Sequence, residues 1–107
     1  MLDIHVAATK NEAVYSHPFC AIDVHLHERL FKGHAQISKE YPTLNRMSDY
    51  FSDCKYSDSE IQDLAGEISR FLSNVQKNEA LHEFLRRVLD ACSLARKEDK
   101  SLFVFCD

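Results

Sequence analysis

Six histidines and four cysteines in a chain of 107 residues are the first side chains to test for chemistry. His17, His25, His27 and His34 lie within eighteen positions with Cys20 among them, a density that raises metal binding. Zinc needs three or four converging ligands. On a helix, however, His25 and His27 would stand about 200° apart round the axis, so they could not close on one ion as an i, i+4 pair does. No metal site and no cofactor are therefore expected, and the histidines read as surface or locally hydrogen-bonded residues. Cys20, Cys54, Cys92 and Cys106 are spaced by 34, 38 and 14 positions with no C-x-x-C pair. Neither a zinc ribbon nor a redox dithiol is encoded locally. The thiols read as free and buried or half-buried, with Cys106 the exception. Ser, Cys, His and Asp are all present for nucleophilic chemistry, but no G-x-S-x-G, P-loop, G-x-G-x-x-G or H-E-x-x-H occurs. With Gly33 and Gly66 alone, no glycine loop can cradle a phosphate. Catalysis is not the expected role, and a small enzyme or metal-dependent regulator using the His17 to His34 cluster is the alternative.

Charge is more informative. Residues 49 to 67 carry Asp49, Asp53, Asp58, Glu60, Asp63 and Glu67 against the single Lys55, a local net of −5 in a chain whose total is −4. Glu60, Asp63 and Glu67 recur at i, i+3 and i+7 and read as a solvent-facing stripe opposite an apolar helix face. Tyr50, Phe51 and Tyr56 are interleaved with these acids, and aromatic anchors inside a charged rim are what a protein interface uses. Asp49, Tyr50, Phe51, Asp53, Tyr56, Glu60, Asp63 and Glu67 are accordingly the candidate docking residues for a basic protein, with a solvated helix face as the plain alternative. Nucleic acid is not an expected partner. Phosphate binding needs the opposite sign, and Arg86-Arg87 and Arg96-Lys97 are matched by Glu83, Asp90, Glu98 and Asp99. Leftover apolar helix surface also allows a homodimer.

The elements that must position these residues follow from periodicity. Leu2 to Ala8 alternates apolar and polar side chains, a strand with Leu2, Ile4, Val6 and Ala8 buried and the other face wet. Thr9 to Glu12 reads as a polar turn, and Ala13 to Ser16 as the returning arm of a hairpin ended by Pro18. Asp23 caps a short helix through Phe31, and Gly33 stops it. Pro42 fits the first turn of another helix with Leu44, Met47, Tyr50 and Phe51 as its apolar stripe, and Asp53 to Tyr56 breaks the pattern. Ser57-Asp58-Ser59-Glu60 is a capping box. It opens a helix over about 58 to 76, with Ile61, Leu64, Ile68 and Phe71 on one face. Asn78 caps a second, and the short Gln76-Lys77-Asn78 link makes the two an antiparallel helical hairpin. Ser101 to Cys106 is apolar on both faces and reads as an interior strand beside the first.

The expected fold is a single α+β domain over 1–107. It combines a small mixed or antiparallel sheet, made of the N-terminal hairpin and the C-terminal strand, with a helical layer that includes the long hairpin. No apolar run approaches the roughly 20 residues that cross a bilayer, and Met1 to His5 lacks the basic-then-apolar order of a signal peptide. The expectation is a cytoplasmic protein without membrane contact or disulfides. The runs Met1 to Val6, Tyr41 to Asp53 and Phe103 to Asp107 resemble small bacterial proteins of uncharacterised function. Size and acidity are similar in general character to immunity proteins, which neutralise antibacterial toxins. That resemblance implies a stoichiometric inhibitor whose partner is a basic toxin domain.

Overall fold

The computed structural model describes residues 1–76 and 78–106; Lys77 in the expected helix link, and Asp107, lie outside the described residues. The chain runs β1 (Leu2–Ala7), α1 (Lys10–Val14), β2 (Cys20–Ile22), α2 (Val24–Phe31), α3 (Ile37–Glu40), a 3₁₀ turn (Leu44–Met47), β3 (Cys54–Tyr56), α4 (Asp58–Asn74), α5 (Glu79–Glu98) and β4 (Ser101–Cys106). The sheet is antiparallel with the order β2-β1-β4-β3, so the doubly apolar C-terminal strand is interior, as its composition requires. Ile4 sits opposite Val104 and Val6 opposite Leu102. One sheet face therefore presents Leu2, Ile4, Cys20, Ile22, Tyr56, Leu102 and Val104 to the core, where α4 and α5 supply Ile61, Leu64, Ile68, Phe71, Leu85 and Val88.

The long helices begin and end as their sequence dictates. Glu60 Oε1 accepts from the Ser57 amide at 3.0 Å and from its hydroxyl at 2.6 Å. Asn78 Oδ1 accepts from the Leu81 amide at 3.1 Å, and Asp23 Oδ1 from the Leu26 amide at 2.8 Å. These side chains satisfy amides that a helix start leaves without partners. Asp99 closes α5 in the left-handed region, at φ 55°. Gly33 follows α2 at a point where a Cβ would lie 2.2 Å from the Arg29 carbonyl oxygen, so only glycine fits.

Five features differ from the sequence reading. Residues 13 to 16 are not the returning arm of the hairpin; Cys20–Ile22 is, and Lys10–Val14 is helical. The supposed polar turn is a helix start, because Thr9 Oγ1 accepts from the Glu12 amide at 3.1 Å. The outer face of β1 is not wet, since His5 and Ala7 are buried there and Ala7 packs with Ala13 of α1 and Phe103 of β4. α1 thus lies on the opposite side of the sheet from α4 and α5. Pro42 introduces only a single 3₁₀ turn, which leaves Tyr50 and Phe51 in the following loop. Cys54–Tyr56 is an edge strand paired with Leu102 to Val104, a pairing that no local periodicity announces.

Arginines hold the β3 edge and the segment that leads into β2. Arg46 Nη2 donates to the Lys55 carbonyl at 2.7 Å, with its guanidinium 4.6 Å from the Tyr56 ring centroid. Arg87 Nη2 donates to the Phe19 carbonyl at 2.7 Å and lies over the Phe19 ring at 5.8 Å. Such caps occupy edge groups that would otherwise template another strand.

Glu67 and its neighbour Gly66 offer opposed tests of this packing. Glu67 Oε1 accepts from the amides of Thr43 and Leu44 at 2.8 and 3.0 Å. Glu67→Ala should lower unfolding free energy by about 3 kcal/mol by stranding both amides, whereas Glu67→Gln, which keeps an acceptor oxygen, should cost about 1 kcal/mol. A Cβ on Gly66 meets no atom within 4 Å, so Gly66→Ala should stabilise α4 by about 0.5–1 kcal/mol. Urea titration of the three variants checks both signs.

Candidate functional site

The acidic and aromatic segment divides into residues that hold the fold and residues that face outward. Tyr56 belongs to the first group. It is fully buried, and its hydroxyl donates to the Thr43 carbonyl at 2.8 Å. Burial drives the phenol's pKa far above its usual range, reinforced by the neighbouring Cys54. Glu67 is also internal, 8% exposed, and caps the 3₁₀ turn rather than completing a solvent stripe. The reason is angular. Glu67 stands only about 40° round the helix from Phe71 and about 60° from Leu64, on the flank of the apolar arc rather than opposite it. Both residues leave the set of accessible docking candidates.

Glu60 is half-exposed and already engaged by three donors: the Ser57 amide, the Ser57 hydroxyl and Arg46 Nη1. The Ser57 hydroxyl and amide, and then the Arg46 guanidinium, hold its carboxyl below the usual range. Asp63 is exposed on α4. Arg46 is the participant that the sequence reading missed. Its partners lie 9 to 14 positions away on β3 and α4, a separation at which no sequence spacing carries a signal.

The outward group centres on the loop between the 3₁₀ turn and β3. Phe51 is 78% exposed. Its backbone is held by Asp49, whose Oδ1 accepts from the Phe51 amide at 2.9 Å and whose Oδ2 accepts from the Ser52 hydroxyl at 2.8 Å. Those two donors, the Phe51 amide first, lower the Asp49 pKa. Tyr50 packs edge-on against both His27 at 5.1 Å and Phe51 at 5.4 Å, forming a half-buried base for the exposed ring. Asp53 Oδ1 accepts from the Cys106 amide at 2.8 Å and ties the end of the loop to β4. Between this loop and α2 lies an open groove of about 340 Å³ whose apolar walls are Val24, Phe31, Tyr50 and Phe51.

The histidines do not assemble. His27 is buried, with Nε2 2.7 Å from the Met47 carbonyl oxygen, and His34 Nδ1 lies 3.0 Å from the Leu30 carbonyl oxygen. His17 and His25 are exposed. Among the described residues, no three His, Cys, Asp or Glu side chains converge on a point that could hold an ion. His5 is buried beside Phe105 and hydrogen-bonded to the Ser16 hydroxyl at 3.0 Å; desolvation lowers its pKa against the opposing pull of Asp3. His82 is buried, and its Nε2 has no partner among the described residues. The four thiols are free. Burial pushes Cys20 up to about 11 and Cys92 up to about 12, and Cys54 and Cys106 are raised as well. A nucleophilic cysteine needs the reverse shift. No helix among the described residues is long and apolar enough to cross a membrane.

Comparison of the chain with protein-family models, curated proteins and solved structures finds no match.

Thiol accessibility tests the arrangement directly. In native protein near neutral pH, a disulfide reagent should modify Cys106 first and Cys54 more slowly. Cys20 and Cys92 should react only as fast as the core opens, because both are buried and protonated. Mass spectrometry of the modified peptides over time reads the order, and early labelling of Cys92 would contradict the packing of α5 on β2.

Proposed function

We propose that this chain is a stoichiometric protein-binding module, an immunity-type inhibitor that docks on a basic antibacterial toxin domain through the loop from Asp49 to Asp53. The observation that carries the binding reading is Phe51, a large apolar ring left 78% exposed on a loop pinned by its own side chains. An isolated exposed Phe is ordinary in a protein surface. A Phe held in one backbone geometry, backed by Tyr50 and bordered by a groove, is a binding anchor whose ordering cost is largely met before the partner arrives. Burying such a ring contributes about 2–3 kcal/mol.

Asp49 and Asp53 are exposed in the same loop as this anchor, and Asp58 and Asp63 are exposed on α4, which follows it in the chain. Rim charges of one sign favour a basic partner chiefly by raising the association rate. The same sign disfavours nucleic acid. Arg87, of the Arg86-Arg87 pair, is committed to the Phe19 carbonyl just before β2. The immunity-type assignment rests on the likeness in size and acidity to proteins that neutralise toxins, and it makes the partner an enzyme whose activity the complex blocks.

Phe51→Ala and the double variant Asp58→Lys with Asp63→Lys separate anchor from rim without touching Glu60 or Glu67, which serve the fold. The partner is first identified by capture from the native cell and purified. Calorimetry should then show Phe51→Ala weakening the complex by about 2 kcal/mol or more, with an unchanged unfolding midpoint. The lysine pair should slow association several-fold at low salt and have little effect at high salt. Unchanged affinity in Phe51→Ala would remove the loop as the docking site, and a partner whose activity survives saturation would remove the inhibitor assignment.

A further inference from the structure

The outer face of the sheet is covered by α1 only in part. Beyond the start of α1, an open groove of about 570 Å³ runs between Ala8 to Lys10 on one side and Asp53 to Lys55 on the other, with Phe103 and Phe105 along its floor. That volume falls within the roughly 300–1,000 Å³ typical of small-molecule sites. The floor is aromatic, with Phe103 buried at 4% exposed beneath it. Phe103 and Phe105 have ring centroids 6.2 Å apart, and Phe105 is only half-buried.

The walls carry two lysines, Lys10 and Lys55, against the single lining carboxylate of Asp53. Lys55 Nζ stands 5.4 Å from the Phe103 ring centroid, which places an ammonium group above the floor. Lys10 lines the facing wall. Neither lysine forms an ion pair among the described residues. Three carboxylates stand near: Asp53 in the wall itself, Asp3 across the sheet from Phe105, and Glu12 on α1. Glu12 Oε1 faces Lys100 Nζ at 3.7 Å and Glu12 Oε2 takes the Ala8 amide at 3.4 Å, while Asp53 Oδ1 takes the Cys106 amide. Two ammonium groups without ion-pair partners among the described residues, flanking a partly open aromatic floor, are complementary to a ligand that combines a planar ring with a negative group.

We propose that this groove is a binding site for a small planar aromatic anion, with its ring against Phe105 and its carboxylate or sulfonate between Lys10 and Lys55. The site does not include the Phe51 anchor, although Asp53 borders both surfaces. Lysine ammonium groups on flexible stems act as point charges, so the site selects charge and ring rather than the exact geometry of the anion.

Fluorescence titration of the full chain with anilinonaphthalene sulfonate, paired with phenylnaphthylamine as the same ring system without the charge, tests the assignment. The sulfonate should bind one per chain and weaken at high salt. Lys10→Ser with Lys55→Ser should weaken it about tenfold or more, and the uncharged probe should bind about tenfold less tightly to the native chain. Amide shifts in the NMR spectrum should map the bound probe to residues 8–10, 53–55 and 103–105. Both lysines are exposed, so the double variant keeps the fold, as circular dichroism and an unchanged unfolding midpoint would verify. Phe105→Ser should also weaken the probe. Equal binding by the charged and uncharged probes, an unaffected lysine variant, or shifts clustered at Phe51 would each overturn the proposal.

Discussion

The structure depends on one buried contact, the grip of Glu67 and Tyr56 on the Thr43 peptide units. Glu67 takes the Thr43 and Leu44 amides, and the Tyr56 hydroxyl gives a hydrogen bond to the Thr43 carbonyl. The chain through Tyr41, Leu44 and Met47 is otherwise irregular, with one short helix before it and a single 3₁₀ turn within it. Such a segment can be buried only if its backbone polar groups find partners. A carboxylate from α4 and a phenol from β3 supply them together, which fixes where α4, β3 and the connecting loop meet. From that junction Arg46 reaches the β3 carbonyl and Glu60, and the loop carrying Phe51 begins.

A second device recurs at the margins. Arg46, Arg70 and Arg87 each donate to a backbone carbonyl while lying over an aromatic ring: Lys55 with Tyr56, Glu40 with Tyr41, and Phe19 with its own side chain. A planar guanidinium is suited to this dual contact because it is weakly hydrated on its faces and carries its donors at its edge. In a small domain with three-residue edge strands, these arginines complete the sheet margins and the end of α3, where neither a further strand nor a longer helix is available.

The two surfaces that remain have different characters. The loop from Asp49 to Asp53 is aromatic and acidic, with its acids already oriented by amide and hydroxyl donors. The groove on the outer sheet face is aromatic and basic, with its lysines free of ion pairs among the described residues. Asp53 borders both. The histidines and thiols that first invited a chemical reading serve the interior or stand apart: His27 and His34 lie against backbone carbonyl oxygens, and Cys20 and Cys92 fill the core.

What the sequence determined alone was everything set by contacts within a few residues. The Ser57 to Glu60 capping box, the Asp23 and Asn78 caps, the apolar faces of the two long helices and the two-faced C-terminal strand were all legible, because helix and strand periods turn local spacing into a burial pattern. Thr9 and Glu12 carried the same kind of signal and were overlooked in favour of a turn. For Glu67 the angular position beside Phe71 was available, but charge outweighed angle in the reading. The tertiary structure alone decided that Cys54 to Tyr56 is a strand, that Tyr56 is buried, that Arg46 joins β3 to α4, and that Phe51 is left outside. Each of these depends on partners many positions away, and chain connectivity places no constraint on such pairs until the sheet and helices have packed.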